Sequence, residues 1–206
     1  MHGITKSAAI PLKCTPHQVT CFAEKNLYPL IVSVPLDPVK DVAYYQELVL
    51  KPLNQVLSSL VDQEAEKSDG PWQTRATIPM QSSENALTVR VVTLYNTTTK
   101  ENKTLLAIGT AYVQEEDVAA RGRVLLFSIG RNPDNSQTSV SEVYSKELKG
   151  AISALASLQG HLLIASGPTI ILHKWTGSEL NGVAFFDAPP LYVVSLNIVR
   201  TAFIVL

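Results

Sequence analysis

Short apolar runs separated by polar or small-residue turns fill most of this chain, and within residues 105–175 the pattern occurs twice. Residues 105–109 (LLAIG) form an apolar run closing on Gly109 and Thr110. An acidic turn follows, and Gly122 and Arg123 then open a second apolar run lasting to residue 129. Residues 161–166 (HLLIAS) repeat the device: the run closes on Ser166 and Gly167, turns at Pro168, and resumes over 169–175 to end in Trp175. Paired apolar strands hinged on a small-residue turn, recurring in one chain, mark a blade architecture.

The same texture predicts further strands. Residues 17–23 and 27–34 flank the polar turn Glu24-Lys25-Asn26 as a hairpin would, and Pro35 and Pro38 stop the second run by removing ladder donors. In residues 51–64 the period changes: Leu53, Val56, Leu57, Leu60 and Val61 fall on one helical stripe, followed by a charged, turn-rich stretch to Gly70. Strand texture resumes weakly over 73–78 and strongly over 85–94. It continues at 105–113, 123–129, 140–147, 151–158, 161–166, 169–175 and 183–186, with further runs at 191–194 and 198–206. The expected fold is all-β, a partial β-propeller of WD40-like blades in an incomplete ring, with a short helical insertion. Gly109, Gly122, Gly150, Gly160 and Gly167 are read as its structural turns.

Composition narrows the function classes. Hydrophobic residues make up 46% of the 206 positions and charged residues 17%, enough apolar material for a core. The net charge of −1 gives no basic surface for phosphate at the level of the whole chain. Cys14 and Cys21 lack the second ligand pair that structural zinc requires. They read as reduced thiols, or as a disulfide if strands bring them together. No run approaches the roughly 18 apolar residues of a bilayer span. The sequons at Asn96 and Asn102 read as chance. No nucleophile elbow, metal set or nucleotide loop is visible, so no catalytic, cofactor-binding or metal residue is assigned, and Asp187 and Ser195 lack any triad context.

The remaining chemistry is sparse. His161 follows Gly160 where WD-like blades tie a turn with a Gly-His pair, and His173 and Trp175 share one face of a strand. Glu115, Glu116 and Asp117 form a solvated acidic turn or a contact for a basic partner. Arg121 and Arg123 flank Gly122 and have two readings, pairing with that acidic turn or touching RNA backbone.

Three stretches, GTAYVQEEDVAARGRVLLF, KGAISALASLQGHLLIASGPTIILHKW and ELNGVAFFDAPPLYVVSLNIV, resemble the C-terminal region of the largest-subunit family of the cleavage and polyadenylation specificity factor, in its plant form. The superfamily also includes the large subunit of the damage-specific DNA-binding protein and a propeller subunit of a U2-associated splicing factor. A Gly-Thr element, an acidic pair and an Arg/Gln-Gly-Arg element map onto Gly109, Thr110, Glu115, Glu116, Gly122 and Arg123. A Lys-Gly element with spaced aliphatics and a Gly-x-Leu element map onto Lys149, Gly150, Ile152, Leu155, Gly160 and Leu162.

The resemblance implies an incomplete first blade over 1–35, a helical or loop insertion over 36–71 and propeller blades over 72–206. Relatives carry an extra strand shortly before the position of Trp72, so one strand of the first blade is expected to be missing. Relatives also continue past the region of Asn197, so a truncated product is expected, with Met1 a late start. About three blades of roughly 40–45 residues cannot close a ring of four or more.

The implied function is a non-enzymatic nuclear scaffold in pre-mRNA 3′-end processing and polyadenylation, with family-level RNA binding. Its implied partners are other polyadenylation-factor subunits, pre-mRNA through the complex, and the missing blades of the full-length subunit, with no membrane and no cofactor. The sister branches imply an alternative, an adaptor for a DNA-damage-binding ligase or for splicing.

Overall fold

The structure is a computed structural model that describes residues 14–34, 45–52, 74–81, 83–113, 120–131, 138–187, 189, 192–199 and 202–205. They build three four-stranded antiparallel meanders and a hairpin. The first meander comprises β1 (Thr15–Val19), β2 (Leu27–Val34), β3 (Tyr45–Pro52) and β4 (Thr77–Pro79), in spatial order. The second comprises β5 (Glu84–Asn96), β6 (Glu101–Tyr112), β7 (Arg121–Arg131) and β8 (Thr138–Lys149). The third comprises β9 (Ile152–Leu158), β10 (His161–Ser166), β11 (Thr169–Trp175) and β12 (Leu180–Asp187), and β13 (Leu196–Val199) pairs with β14 (Ala202–Val205) in the hairpin. The sheets do not close on themselves. This is a partial all-β propeller, as its periodicity predicts.

The central strands read as continuous apolar runs because both of their faces are covered. On β6, Leu106 and Ile108 turn toward Phe22 and Ile31 of the first meander, while Leu105 and Ala107 turn toward the third. On β10, Leu162 and Ile164 meet the second meander, and Leu163 and Ala165 meet Val193 and Leu196 beside the hairpin. Three stacked cores therefore follow from period-2 alternation in strands sandwiched on both sides.

Irregularities in register adjust this alternation. Ala165 pairs with Ala154 and Ser166 with Ile152, leaving Ser153 as an extra residue on β9. That bulge lets Ile152 and Leu155, three positions apart, enter the same core. The second and third meanders also touch through one parallel pair, between Trp175 at the end of β11 and Asn96 at the end of β5. Thr97 N–H donates to the Trp175 carbonyl at 3.0 Å, and the Thr98 hydroxyl donates to the Thr176 carbonyl at 2.6 Å.

Several expectations are corrected. The first meander has four strands, and β3 lies inside the segment expected to be helical or loop insertion, so the expected loss of a strand does not hold. Tyr45–Pro52 contains only one β-branched residue, Val49, so local propensity did not mark it; pairing along β2 makes it a strand. The helical stripe from Leu53 to Val61 lies outside the described residues. β1 stops at Val19, and the chain then turns through a 3-10 element at Ala23–Lys25, which Asn26 ends in the left-handed region at φ 53°. Residues 192–195 are not strand, and the run expected over 198–206 is divided between β13 and β14. No Gly, Pro or Asn between the two arms marks that reversal in the sequence.

Candidate functional site

The family-type motif residues meet around a buried carboxylate that the sequence reading passed over. Glu84 opens β5, Thr110 lies on β6 and Arg123 on β7, so three neighbouring strands bring them together. Arg123 Nε donates to Glu84 Oε1 at 2.9 Å and Nη2 to Oε2 at 2.7 Å, a two-pronged pair. The Glu84 side chain is 0% exposed and that of Arg123 14%. The Thr110 hydroxyl donates to Glu84 Oε1 at 2.7 Å and accepts the Arg123 backbone N–H at 3.0 Å. The Gln81 backbone N–H donates to Glu84 Oε2 at 3.0 Å.

Burial alone would push the Glu84 carboxyl up, but the hydrogen bonds from Arg123, Thr110 and Gln81 outweigh it and hold the carboxyl below its ordinary value. Burial likewise lowers the Arg123 guanidinium, and the Glu84 carboxylate more than restores it. Glu84 and Arg123 are thus both ionised and mutually satisfied. This arrangement clamps three strands together and leaves the carboxylate with no open face for a substrate.

The motif glycines serve the same clamp by allowing close approach. A Cβ on Gly122 would fall on the Thr110 carbonyl oxygen and lie 2.9 Å from that of Gly150. Gly109 does not end its strand, contrary to the turn reading; it sits within β6, where a Cβ would lie 2.5 Å from Ile152 Cγ2 and 2.8 Å from Thr88 Cγ2. Gly122 is likewise inside a strand, near the start of β7. Gly150, Gly160 and Gly167 do lie at reversals. At Gly160, φ is +79° and a Cβ would lie 2.7 Å from Tyr95 Cβ, while its carbonyl accepts the Tyr95 N–H at 2.8 Å.

The other candidates are dispersed. Arg121 pairs in register with Lys149 and has an exposed side chain, whereas Arg123 is held by Glu84. Glu115, Glu116 and Asp117 lie outside the described residues. His161 Nδ1 is 3.1 Å from the Gln159 carbonyl, a local turn tie. His173 and Trp175 are buried, and Tyr144 packs edge-on to Trp175 with ring centroids 5.8 Å apart. Among the described residues, His173 Nδ1 and Trp175 Nε1 have no hydrogen-bond partner. Burial, with the Lys146 cation in the same direction, holds the His173 imidazole below its ordinary value. Cys14 and Cys21 form no disulfide among the described residues. A groove between the second and third meanders is lined by Thr93, Tyr95, Asn102, Ser157, Gln159 and Gly160, all uncharged.

Residues 59–206 match the family described as the CPSF A subunit region. The chain belongs to the CPSF A subunit family. Cleavage and polyadenylation specificity factor subunit 1 of Arabidopsis thaliana is 64% identical over 93% of this chain and 14% of its own length. A relative from Oryza sativa is 59% identical over the same shares, and the Drosophila melanogaster subunit 1 is 27% identical over 93% of this chain and 14% of its own. The two plant sequences stand far above the insect one, in line with the resemblance to the plant form. The chain thus spans about 14% of the length of these relatives. Within this CPSF A subunit chain, Thr110, Gly122 and Arg123 form the buried clamp, and Gly109 gives Ile152 its place between meanders.

Proposed function

We propose that this chain is a non-enzymatic propeller scaffold of the cleavage and polyadenylation specificity factor, acting in the nucleus in pre-mRNA 3′-end processing and polyadenylation. The observation carrying this reading is the 64% identity with the Arabidopsis subunit over nearly the whole chain. The clamp supports it: the motif residue Arg123 and its buried partner Glu84 are spent on holding three strands rather than on chemistry. Its partners are other subunits of that factor, further blades of the longer subunit, and pre-mRNA reached through the complex.

RNA contact by this segment alone is weak and without sequence preference. Arg123 is occupied by Glu84, which leaves Arg121 as the exposed cation of the Arg-Gly-Arg triplet. Specific nucleic-acid complexes reach roughly 10⁻⁸ M or tighter at physiological salt, a range this segment does not enter.

The test is affinity purification of the tagged chain from plant nuclei followed by mass spectrometry. Enrichment of the polyadenylation-factor subunits is the expected result. Recovery of ligase or splicing subunits in their place would reassign the chain to a sister branch.

A further inference from the structure

The outer strands of the second and third meanders treat the same problem in opposite ways. Each has one edge paired, β8 with β7 and β12 with β11, and neither pairs along its other edge among the described residues. An unpaired edge is a template for another strand, and proteins usually blunt it with charge. β8 does so: Glu142, Lys146, Glu147 and Lys149 are exposed along it, with serines between, while Val140, Val143, Tyr144 and Leu148 are half-buried. β12 does not. From Asn181 to Asp187 every side chain is exposed, and these include Val183 at 54%, Phe185 at 77% and Phe186 at 60%.

Register decides how a partner would cover these rings. Phe185 stands opposite Ile171 and Phe186 opposite Ile170, so the two rings project from opposite faces of the sheet and straddle its edge. A globular surface laid on either face would cover one ring and leave the other in water. An added strand has side chains on both faces and covers both.

Charge limits what that strand is. Residues 176–189 contain no Lys, Arg or His, and Glu179 and Asp187 stand at the two ends of β12. A second copy of this chain fits badly: antiparallel self-pairing centred on Val183 sets Glu179 directly against Asp187 of the other copy, and twofold symmetry repeats the clash.

We propose that the open edge of β12 is a strand-addition site for an extended segment of a partner protein, apolar and β-branched in its middle and basic at its ends. Main-chain hydrogen bonds to β12 supply affinity, Phe185 and Phe186 supply apolar contact on the two faces, and Glu179 and Asp187 select the basic flanks. The proposal does not depend on the role in 3′-end processing, because it is tested on this chain by itself.

The experiment is hydrogen–deuterium exchange on the full chain, with a peptide of alternating valine and threonine ending in lysines. Slowed exchange along β12 and not along β8 is expected, with binding about tenfold weaker for the same peptide ending in glutamates. N-methylation of alternate peptide amides abolishes the effect. Phe185→Lys, which gives β12 the kind of charge β8 carries, abolishes it too and leaves the melting temperature unchanged, since Phe185 is largely exposed. The double change Phe185→Ser with Phe186→Ser gives the same loss without adding a charge. Absence of protection at about 1 mM lysine-ended peptide overturns the proposal, as does equal protection of β8. Concentration-dependent protection of β12 in the free protein would assign the edge to a second copy and overturn it as well.

Discussion

Arg123 on β7 grips Glu84 on β5 with both prongs of its guanidinium, at 2.9 and 2.7 Å, across the intervening strand β6. β6 contributes Thr110 to the same carboxylate. The Gly-Thr and Arg-Gly-Arg elements of the CPSF A subunit sequence are therefore parts of one object, whose central member is an acidic residue 39 positions from its arginine.

Removing Arg123 leaves the Glu84 carboxylate buried and unpaired. Arg123→Ala is expected to destabilise the chain by about 3 kcal/mol, the lower part of the range for breaking a buried pair. Thr110→Val, which deletes a hydroxyl with one carboxylate and one N–H partner, is expected to be destabilising by about 1–2 kcal/mol. Urea unfolding midpoints measure both. An Arg123→Ala variant as stable as the parent would mean the pair contributes nothing.

Gly109→Val is expected to be destabilising by about 1–3 kcal/mol through overlap with Ile152 and Thr88. The cause is local crowding, so Ile152→Ala should recover part of the loss when combined with Gly109→Ala. The pair of single variants and their combination form a cycle, and strictly additive losses would show that the two positions do not touch.

His173 and Glu84 give stability a defined dependence on acid pH. His173 has its pKa lowered by burial, so the unfolded chain binds its proton first; stability is full above about pH 6.5 and falls as pH drops below that value. Glu84 has a lowered pKa as well, so its contribution is present above about pH 4.5 and is lost as pH falls below it. Thermal melts between these values should therefore report the His173 contribution and not that of Glu84. His173→Gln is expected to flatten the upper part of the profile and leave the lower part in place, and an unchanged profile would show that His173 is solvated in the native state.

Arg121→Ala is expected to leave the fold unchanged, since its side chain is exposed, and to reduce RNA retention on filters at low salt for any sequence. Arg123→Ala affects RNA only through the fold. Loss of a sequence-specific complex on changing Arg121 would contradict the weak, unspecific contact proposed above.

Much of the architecture was legible along the chain. The runs at 123–129, 161–166 and 169–175 fall within two residues of β7, β10 and β11, because a strand covered on both faces must be apolar throughout and the turn residues bound it sharply; the run at 105–113 marks β6, which starts four residues earlier in a polar stretch. β3 was missed because a strand with little β-branched content is recognised only through its neighbour. The arms of β13 and β14 were merged into one run because no turn residue separates them.

The candidate site was legible only in part. Gly109, Thr110, Gly122 and Arg123 stand out locally as an unusual pairing of small and charged residues beside apolar strands. Glu84 does not, since an acidic residue opening a strand after Ser82 and Ser83 looks like ordinary surface.

Period-2 alternation and turn chemistry are short-range properties, so the amino-acid sequence by itself determined that this chain is all-β, where most of its strands run, and that its blades resemble those of the CPSF A subunit family. Which strands lie side by side is a long-range property, settled by how the meanders stack their apolar faces. Only the tertiary structure decided that Arg123 is spent on Glu84, that Gly109 makes room for Ile152, and that β12 meets solvent with a phenylalanine on each face.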